Sequence, residues 1–424
     1  MKNLFALPSL LAALIFSTAA HADHRVMTRD QIIAEGQKMA DAQLAQFAKK
    51  KQHASPDWEM GVLWAGFSDF YKVSPDPKIH DALLKSGEQF AWKPIVSYPA
   101  IAKKMRLHAS NADDLCIGQA WLAVYEETKN PAILAAIKER LDVASDFIQA
   151  DAASLNKADK KPGDLRVWSW CDALFMAPAV HAHLSALTGD AKYRNAMHTE
   201  WWRASAVMYD ETEHLYFRDA GKIFPKKKTA SGKKVFWARG NGWVMGGLVR
   251  VLEFLPKDDP VRPRYEQQLR YMSAKLATLQ RPDGTWSASL LDYDEFPYSE
   301  SSGTAFNCYA MAWGINHGLL DEKTYRPVVE KAWASLLASR RADGLLGYVQ
   351  GVAHGPAAVY ADGNRTYGTG AFMMAAAQLA PLAPLTLPPP PQLTAATPKP
   401  TSERSGERKR PDPNSVPIKE NHPQ

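Results

Sequence analysis

The chain has 424 residues and a formal net charge of +6, enough length for a sizeable core in one large domain or two. A charge that small is no electrostatic footprint for nucleic acid, and beyond residue 22 no apolar stretch is long enough to cross a bilayer. The three cysteines, Cys116, Cys171 and Cys308, each lie inside an apolar motif and read as buried thiols, not as a disulfide framework.

The first 22 residues have Lys2, an apolar run to Phe16 and then Ala20-His21-Ala22. This pattern predicts a secretory signal peptide and export, to a bacterial periplasm on the form of its basic start and cleavage site. At the other end, residues 381–424 are rich in proline and charge, with six Lys/Arg against four Asp/Glu, and are expected to be a disordered tail. Removing both ends leaves residues 23–380 with a charge near +3, which permits an anionic substrate without demanding one.

Within 23–380 one layout recurs: a small or polar start, an apolar and aromatic run, then a break. The runs start at Met60, Ile117, Asp172, Asn241, Gly303 and Thr369, which is 57, 55, 69, 62 and 66 residues apart. Each is apolar nearly all round, as a buried helix is. Between them PAILAAIKERLDVASDFI, AKYRNAMHTEWWRASAV, PRYEQQLRYMSAKLATL and YRPVVEKAWASLLASR carry the 3.6-residue stripe of amphipathic helices. Strand-like alternation is confined to short pieces near LYFRD and GYVQ. Six buried helices alternating with amphipathic ones predict an all-α fold, an (α/α)6 barrel, with an open superhelical array as the nearest rival.

In such a barrel the loops leading into the inner helices meet at one end and form a pocket. Here those loops are ASPDWEM, HASNADDLCIG, RVWSWCDAL, FWARGNGW, YSESSGTAF and ADGNRTYGTG. Aromatic faces alternating with carboxylates, arginines and hydroxyls suit a sugar, which has apolar faces and a polar rim. Asp172, among Trp168, Trp170 and Phe175, is either an N-cap or a desolvated acid whose proton affinity is raised by apolar surroundings. Asp113 or Asp114 could supply a second carboxyl facing it, Asp113 being favoured, while Asn111 or Asp113 could simply cap the helix. Asp172 and Asp113 are the catalytic pair expected. Asp114, Trp64, Trp168, Trp170, Arg218, Trp237, Arg239, Asn241, Trp243, Ser301 and Ser302 are expected to bind substrate, Arg239 through its fork to a carboxylate beside Gly240. His181, His183, His214, His317 and His354 lack the spacing of a metal site. No P-loop, dinucleotide fingerprint or nucleophile elbow occurs. Neither metal nor cofactor is therefore expected.

Taken together, the six-run layout, NADD, WSWCDALFMAP, FWARGNGW and ESSGTAF resemble the unsaturated rhamnogalacturonyl hydrolases, glycoside hydrolase family 105, and their relatives the unsaturated glucuronyl hydrolases of family 88. The resemblance covers about Arg29 to Leu379. It implies an (α/α)6 barrel acting on lyase-generated oligosaccharides of pectin or rhamnogalacturonan type, capped by a 4,5-unsaturated uronic acid. It also implies hydration of the enol ether: an aspartic acid matched by Asp172 protonates C4, and water activated by the same group adds at C5. A second aspartate matches the Asn111–Asp114 segment. Some members carry a histidine near LYFRD, where this chain has Arg218-Asp219. The expected partner is an unsaturated uronate oligosaccharide, with no nucleic acid or membrane, the protein itself being a monomer or homodimer. A hydrolase of other uronate oligosaccharides (ulvan or glycosaminoglycan), an ordinary (α/α)6 glycosidase, a polysaccharide lyase and a non-catalytic uronate binder are the alternatives.

Overall fold

The computed structural model describes residues 24–50, 55–94, 109–155, 167–220 and 227–397. A short strand, β1 (Arg25–Met27), leads into helix α1 (Arg29–Lys50). Then follow α2 (Trp58–Tyr71), α3 (Pro77–Glu88), the single turn α4 (Ala112–Leu115), α5 (Gly118–Thr128), α6 (Pro131–Leu155), the single turn α7 (Ala173–Met176), α8 (Pro178–Thr188) and α9 (Ala191–Met208). A hairpin of β2 (Tyr209–Asp210) and β3 (Leu215–Tyr216) precedes α10 (Ala238–Phe254) and α11 (Arg262–Thr278). A second small ladder, β4 (Trp286–Ser287) with β5 (Ser299–Glu300), precedes α12 (Ser301–Asn316), α13 (Glu322–Ala338), α14 (Thr366–Leu379) and a last strand, β6 (Leu385–Leu387).

The six apolar runs are the inner ring. Fifteen of the sixteen residues of α12 are buried, so it has no solvent face and must sit at the centre. By contrast α11 buries Tyr265, Gln268, Leu269, Met272 and Leu276, the one-sided stripe of an outer helix. Around the ring α2 packs on α5, α5 on α8, α8 on α10, α10 on α12, α12 on α14, and α14 back on α2, so the toroid closes. Helices α1, α3, α6, α9, α11 and α13 form the outer layer.

Small residues set the inner spacing. A Cβ on Gly66 would lie 2.2 Å from the Gly370 carbonyl oxygen, and one on Gly247 would lie 2.1 Å from that of Leu174. Pro178, without an N–H, divides the third inner helix into α7 and α8. At the far end of the ring Arg250 donates to Asp69 at 2.6 Å and to Gln119, beside a cavity of about 170 Å3 that Tyr309 and Glu253 also line.

The expectation of disorder from Pro381 does not hold as far as residue 397. Leu385 and Leu387 are buried where β6 pairs antiparallel with β1, and the Thr394 carbonyl accepts from Ser299 N. Alternating leucines in LTL give this proline-rich stretch one apolar face, enough to dock it. The expected signal peptide and residues 398–424 lie outside the described residues. So does GYVQ lie outside any strand: it runs as loop against Ser301 and Glu300. No described helix is long and apolar enough to cross a membrane.

Candidate active site

The starts of the inner helices gather at one end, and two of the loops there are tied together by backbone pairing. Cys171 N donates to Arg218 O at 2.8 Å, Ala220 N donates to Ser169 O at 3.0 Å, and Trp170 bridges Asp219. This pairing brings the Asp172 carboxylate to 3.8 Å from Arg218 Nε. Asp172 occupies the N-cap position of α7 but makes no capping hydrogen bond. Its Oδ2 instead accepts from the Cys171 thiol at 3.3 Å, and burial, with Asp172 beside it, pushes that thiol's pKa well above its ordinary value, so it stays an S–H donor.

On the neighbouring inner helix the cap is Asn111, whose side chain accepts from Asp113 N at 3.0 Å. That frees the Asp113 side chain. Burial first, then the charges of Asp172, Asp114 and Asp57, raise its pKa to about 7 against the opposing pull of Arg218. Asp113 and Asp172 therefore share one electrostatic site, with Asp57 contributing from the start of α2, where it caps Met60 N. Asp114 turns away and pairs with Arg140 at 3.3 Å. The Arg218 guanidinium is disfavoured by burial, but Asp172, Cys171 and Asp219 outweigh that and raise its pKa above the ordinary arginine value.

Trp168 is fully buried and sits edge-on to His181, on the core side. Trp170 is half-buried and remains the aromatic of that loop nearest the carboxylates in sequence and pairing.

Several side chains expected to contact the sugar are engaged within the protein. Trp64 is in the core between Phe47 and Phe67, nearly two turns into α2, too deep to reach the helix start. Trp243 is enclosed by Phe175, Phe306, Trp58 and Tyr367. Asn241 bonds Tyr216 N and O and Trp237 O, fastening the hairpin that leads to Arg218. Ser301 donates to Gly347 O, and Ser302 donates to Glu300, whose carboxylate caps α12 and also accepts from Gln350 N. Trp237 Nε1 donates to Gln350 Oε1 at 3.0 Å. Arg239 is 1 % exposed: it lies between the rings of Trp237 and Tyr367 and donates to the carbonyls of Gln350 and Gly351. It clamps a loop, and the glycine after it, Gly240, admits Cys171 Sγ and not a ligand, since a Cβ there would lie 2.9 Å from that sulfur.

Other residues of the site were not singled out from sequence. Asp57 and half-buried Trp58 open α2, with Trp58 stacked on Tyr367 at 5.4 Å between ring centroids and 21° between planes. Tyr367 donates to Gln350 O at 2.6 Å. Arg365, preceding α14, has no hydrogen-bond or ion-pair partner for its guanidinium among the described residues. The signal was their place in ASPDWEM and ADGNRTYGTG, two of the six loops that enter inner helices.

Comparison with known proteins identifies the family of the chain. The model of Glycosyl Hydrolase Family 88 matches residues 34–383. An unsaturated 3S-rhamnoglycuronyl hydrolase of Formosa agariphila is 34% identical over 335 residues, 77% of this chain and 85% of the relative. A family 88 glycosyl hydrolase from Bacteroides vulgatus superposes with a TM-score of 0.71 at 26% identity, over 84% of this chain and 99% of that one. A solved structure named as a polysaccharide lyase superposes equally, with a TM-score of 0.71 at 28% identity over 84% of this chain and 98% of that one.

Proposed function

Because the chain belongs to glycosyl hydrolase family 88, we propose that Asp172 and Asp113 work as a pair sharing one proton to hydrate the C4=C5 bond of a terminal 4,5-unsaturated uronic acid. The enzyme is a glycosidase acting on oligosaccharides that end in such a unit. The observation that carries the assignment of roles is the opposition of environments: Asp172 lies 3.8 Å from Arg218, while Asp113 is held near pKa 7 by burial and by the neighbouring carboxylates. Two acids placed so differently divide donor and acceptor duties between them.

In the free site the shared proton rests on Asp113. A substrate carboxylate entering beside Arg218 takes part of that guanidinium's charge and adds its own negative charge. The proton is handed from Asp113 to Asp172 as the substrate settles between them. Asp172 delivers it to C4 of the electron-rich enol ether. Water adds at C5 and gives up a proton to the emptied carboxylate, restoring the pair. The C5 hemiketal opens to a ketone, and the hemiacetal left at C1 expels the next sugar as an alcohol. One water is consumed, and no covalent enzyme intermediate is formed. Trp58 and Trp170 supply apolar faces for the ring.

Rhamnose as the following sugar is supported by the name of the Formosa relative. Arg365, free of partners and carried beside Tyr367, suits an acidic substituent such as a sulfate ester on that sugar. The pectin or rhamnogalacturonan origin of the substrate and export to a periplasm are proposed on the sequence alone. A panel of lyase-generated oligosaccharides followed by ultraviolet absorbance tests the reading: the wild type removes the alkene band of at least one, and Asp172→Asn does not. The lyase alternative, favoured by one superposed structure, gives the opposite sign, a growing alkene band on saturated polymer.

A further inference from the structure

Outer helices α9 and α11 leave an open groove between them of about 380 Å3, lined by none of the residues placed in the active site above. Its walls are two matching stripes. Trp202, Ser205, Ala206 and Tyr209 follow one another at i, i+3, i+4 and i+7 along α9 and its end, and Arg264, Gln267, Gln268 and Tyr271 do so along α11. The small pair Ser205 and Ala206 opens the middle, so each wall has a large planar group at either end, seven residues or about 10 Å apart. That is the length of a disaccharide unit.

The planar groups are held in place. Arg264 lies flat over Trp202, 3.7 Å from the ring centroid, and has no carboxylate partner among the described residues. Tyr271 is 46% exposed yet is braced from behind by His214, stacked at 4.6 Å and 14°. His214 in turn shares a hydrogen bond with the Tyr209 hydroxyl at 3.0 Å. Stacking of this kind fixes a side chain before any ligand arrives, which lowers the entropy lost on binding. Gln267 adds an exposed amide between the two ends, and Glu211 stands at the hairpin end of the groove.

We infer that this groove is a second saccharide-binding site, which holds an acidic polysaccharide chain with a sugar face on Tyr271 and an acid group on Arg264, itself held by the Trp202 ring. The aromatic face, the amide and the unpaired guanidinium match alternating apolar and anionic parts of a uronate chain. The choice of a uronate chain rests on the reading of the active site, while the groove and its braced side chains do not. Bound there, polymer keeps the enzyme beside the material from which its oligosaccharides are released.

Native affinity electrophoresis in gels containing polygalacturonate, with a neutral dextran gel as reference, tests this. The wild type and the inactive Asp172→Asn enzyme are retarded by polygalacturonate and not by dextran. Arg264→Ala combined with Tyr271→Ala weakens the retardation constant about tenfold. Ala206→Trp, which fills the groove without removing a contact, does the same. Both variants keep the wild-type kcat/KM on an unsaturated disaccharide. Equal retardation of wild type and both groove variants, no retardation by polygalacturonate, or equal retardation by dextran overturns the site. Failure of the wild type to turn over any unsaturated disaccharide bears on the catalytic reading and leaves the gel result to stand by itself.

Discussion

Asp172 stands at the first turn of an inner helix, yet its carboxylate caps nothing and faces Arg218 and the Cys171 thiol. A carboxylate released from capping and given a cation partner is set up for chemistry, so Asp172→Asn should lower kcat/KM by about 10^3-fold with little change in melting temperature. Asp113 supplies the pH dependence. Its carboxyl keeps a proton up to about pH 7, so activity is expected to fall as pH rises through that value, read as the basic limb of a kcat/KM profile. The same shift acts on stability. Between about pH 4 and pH 7 the folded chain binds a proton that the unfolded chain has lost, so folding weakens as pH rises across that window. Asp113→Asn removes the effect and should gain about 1–2 kcal/mol over wild type at pH 8, but not at pH 4, in denaturant titrations. The sequence pointed to both aspartates, because each precedes an apolar run. It did not show where the tryptophans of that loop point: Trp168, four residues before Asp172, turns to His181 in space. Arg239 was misjudged in a related way: an arginine beside a glycine reads as ligand-binding, and only the folded loop shows that backbone carbonyls already occupy its donors.

Among the elements, the paired segments 169–171 and 218–220 matter most to the site, because they decide whether Arg218 meets Asp172. Arg218→Lys keeps the charge but loses the fork. It should raise KM for the uronate more than it lowers kcat, measured on the same unsaturated disaccharide. The Arg250–Asp69 pair at the other end of the ring does a different job. Removing one partner strands a buried charge, so Arg250→Ala should cost about 3–5 kcal/mol in chemical denaturation while the pH profile of activity keeps its shape. Helix type and layer were readable from periodicity: runs apolar all round became inner helices and striped ones outer helices. The two outer helices α1 and α3 were not picked out. Both do carry an apolar stripe, with Ile32 and Met39 buried on α1 and Ile79 and Leu83 on α3, but α1 follows a segment that reads as a leader. Cross-loop pairing such as Trp170 with Asp219 leaves no local trace in sequence, because it joins single residues 49 positions apart.

For the molecule as a whole, six recurrences in the sequence were enough to name the architecture. Closure needed the contact of α14 with α2, set by Gly66 and Gly370, which meet too closely for any side chain. The ends of the chain reinforce it: β1 and β6 join residues 25–27 to 385–387, so ending the chain at residue 380 should lower the melting temperature by several degrees, seen by calorimetry. Proline content concealed this clasp from composition, which averages over the one short alternation that docks. The toroid gathers carboxylates from separate inner helices at one mouth, and the claim that rests on it is addition of water across the alkene. Nuclear magnetic resonance of the first turnovers in D2O tests it most directly. Hydration predicts a released keto-uronate that has lost its C4=C5 bond and carries deuterium at C4. A released sugar that still holds the alkene, with protium alone at C4, would mean displacement at C1 and would contradict the account.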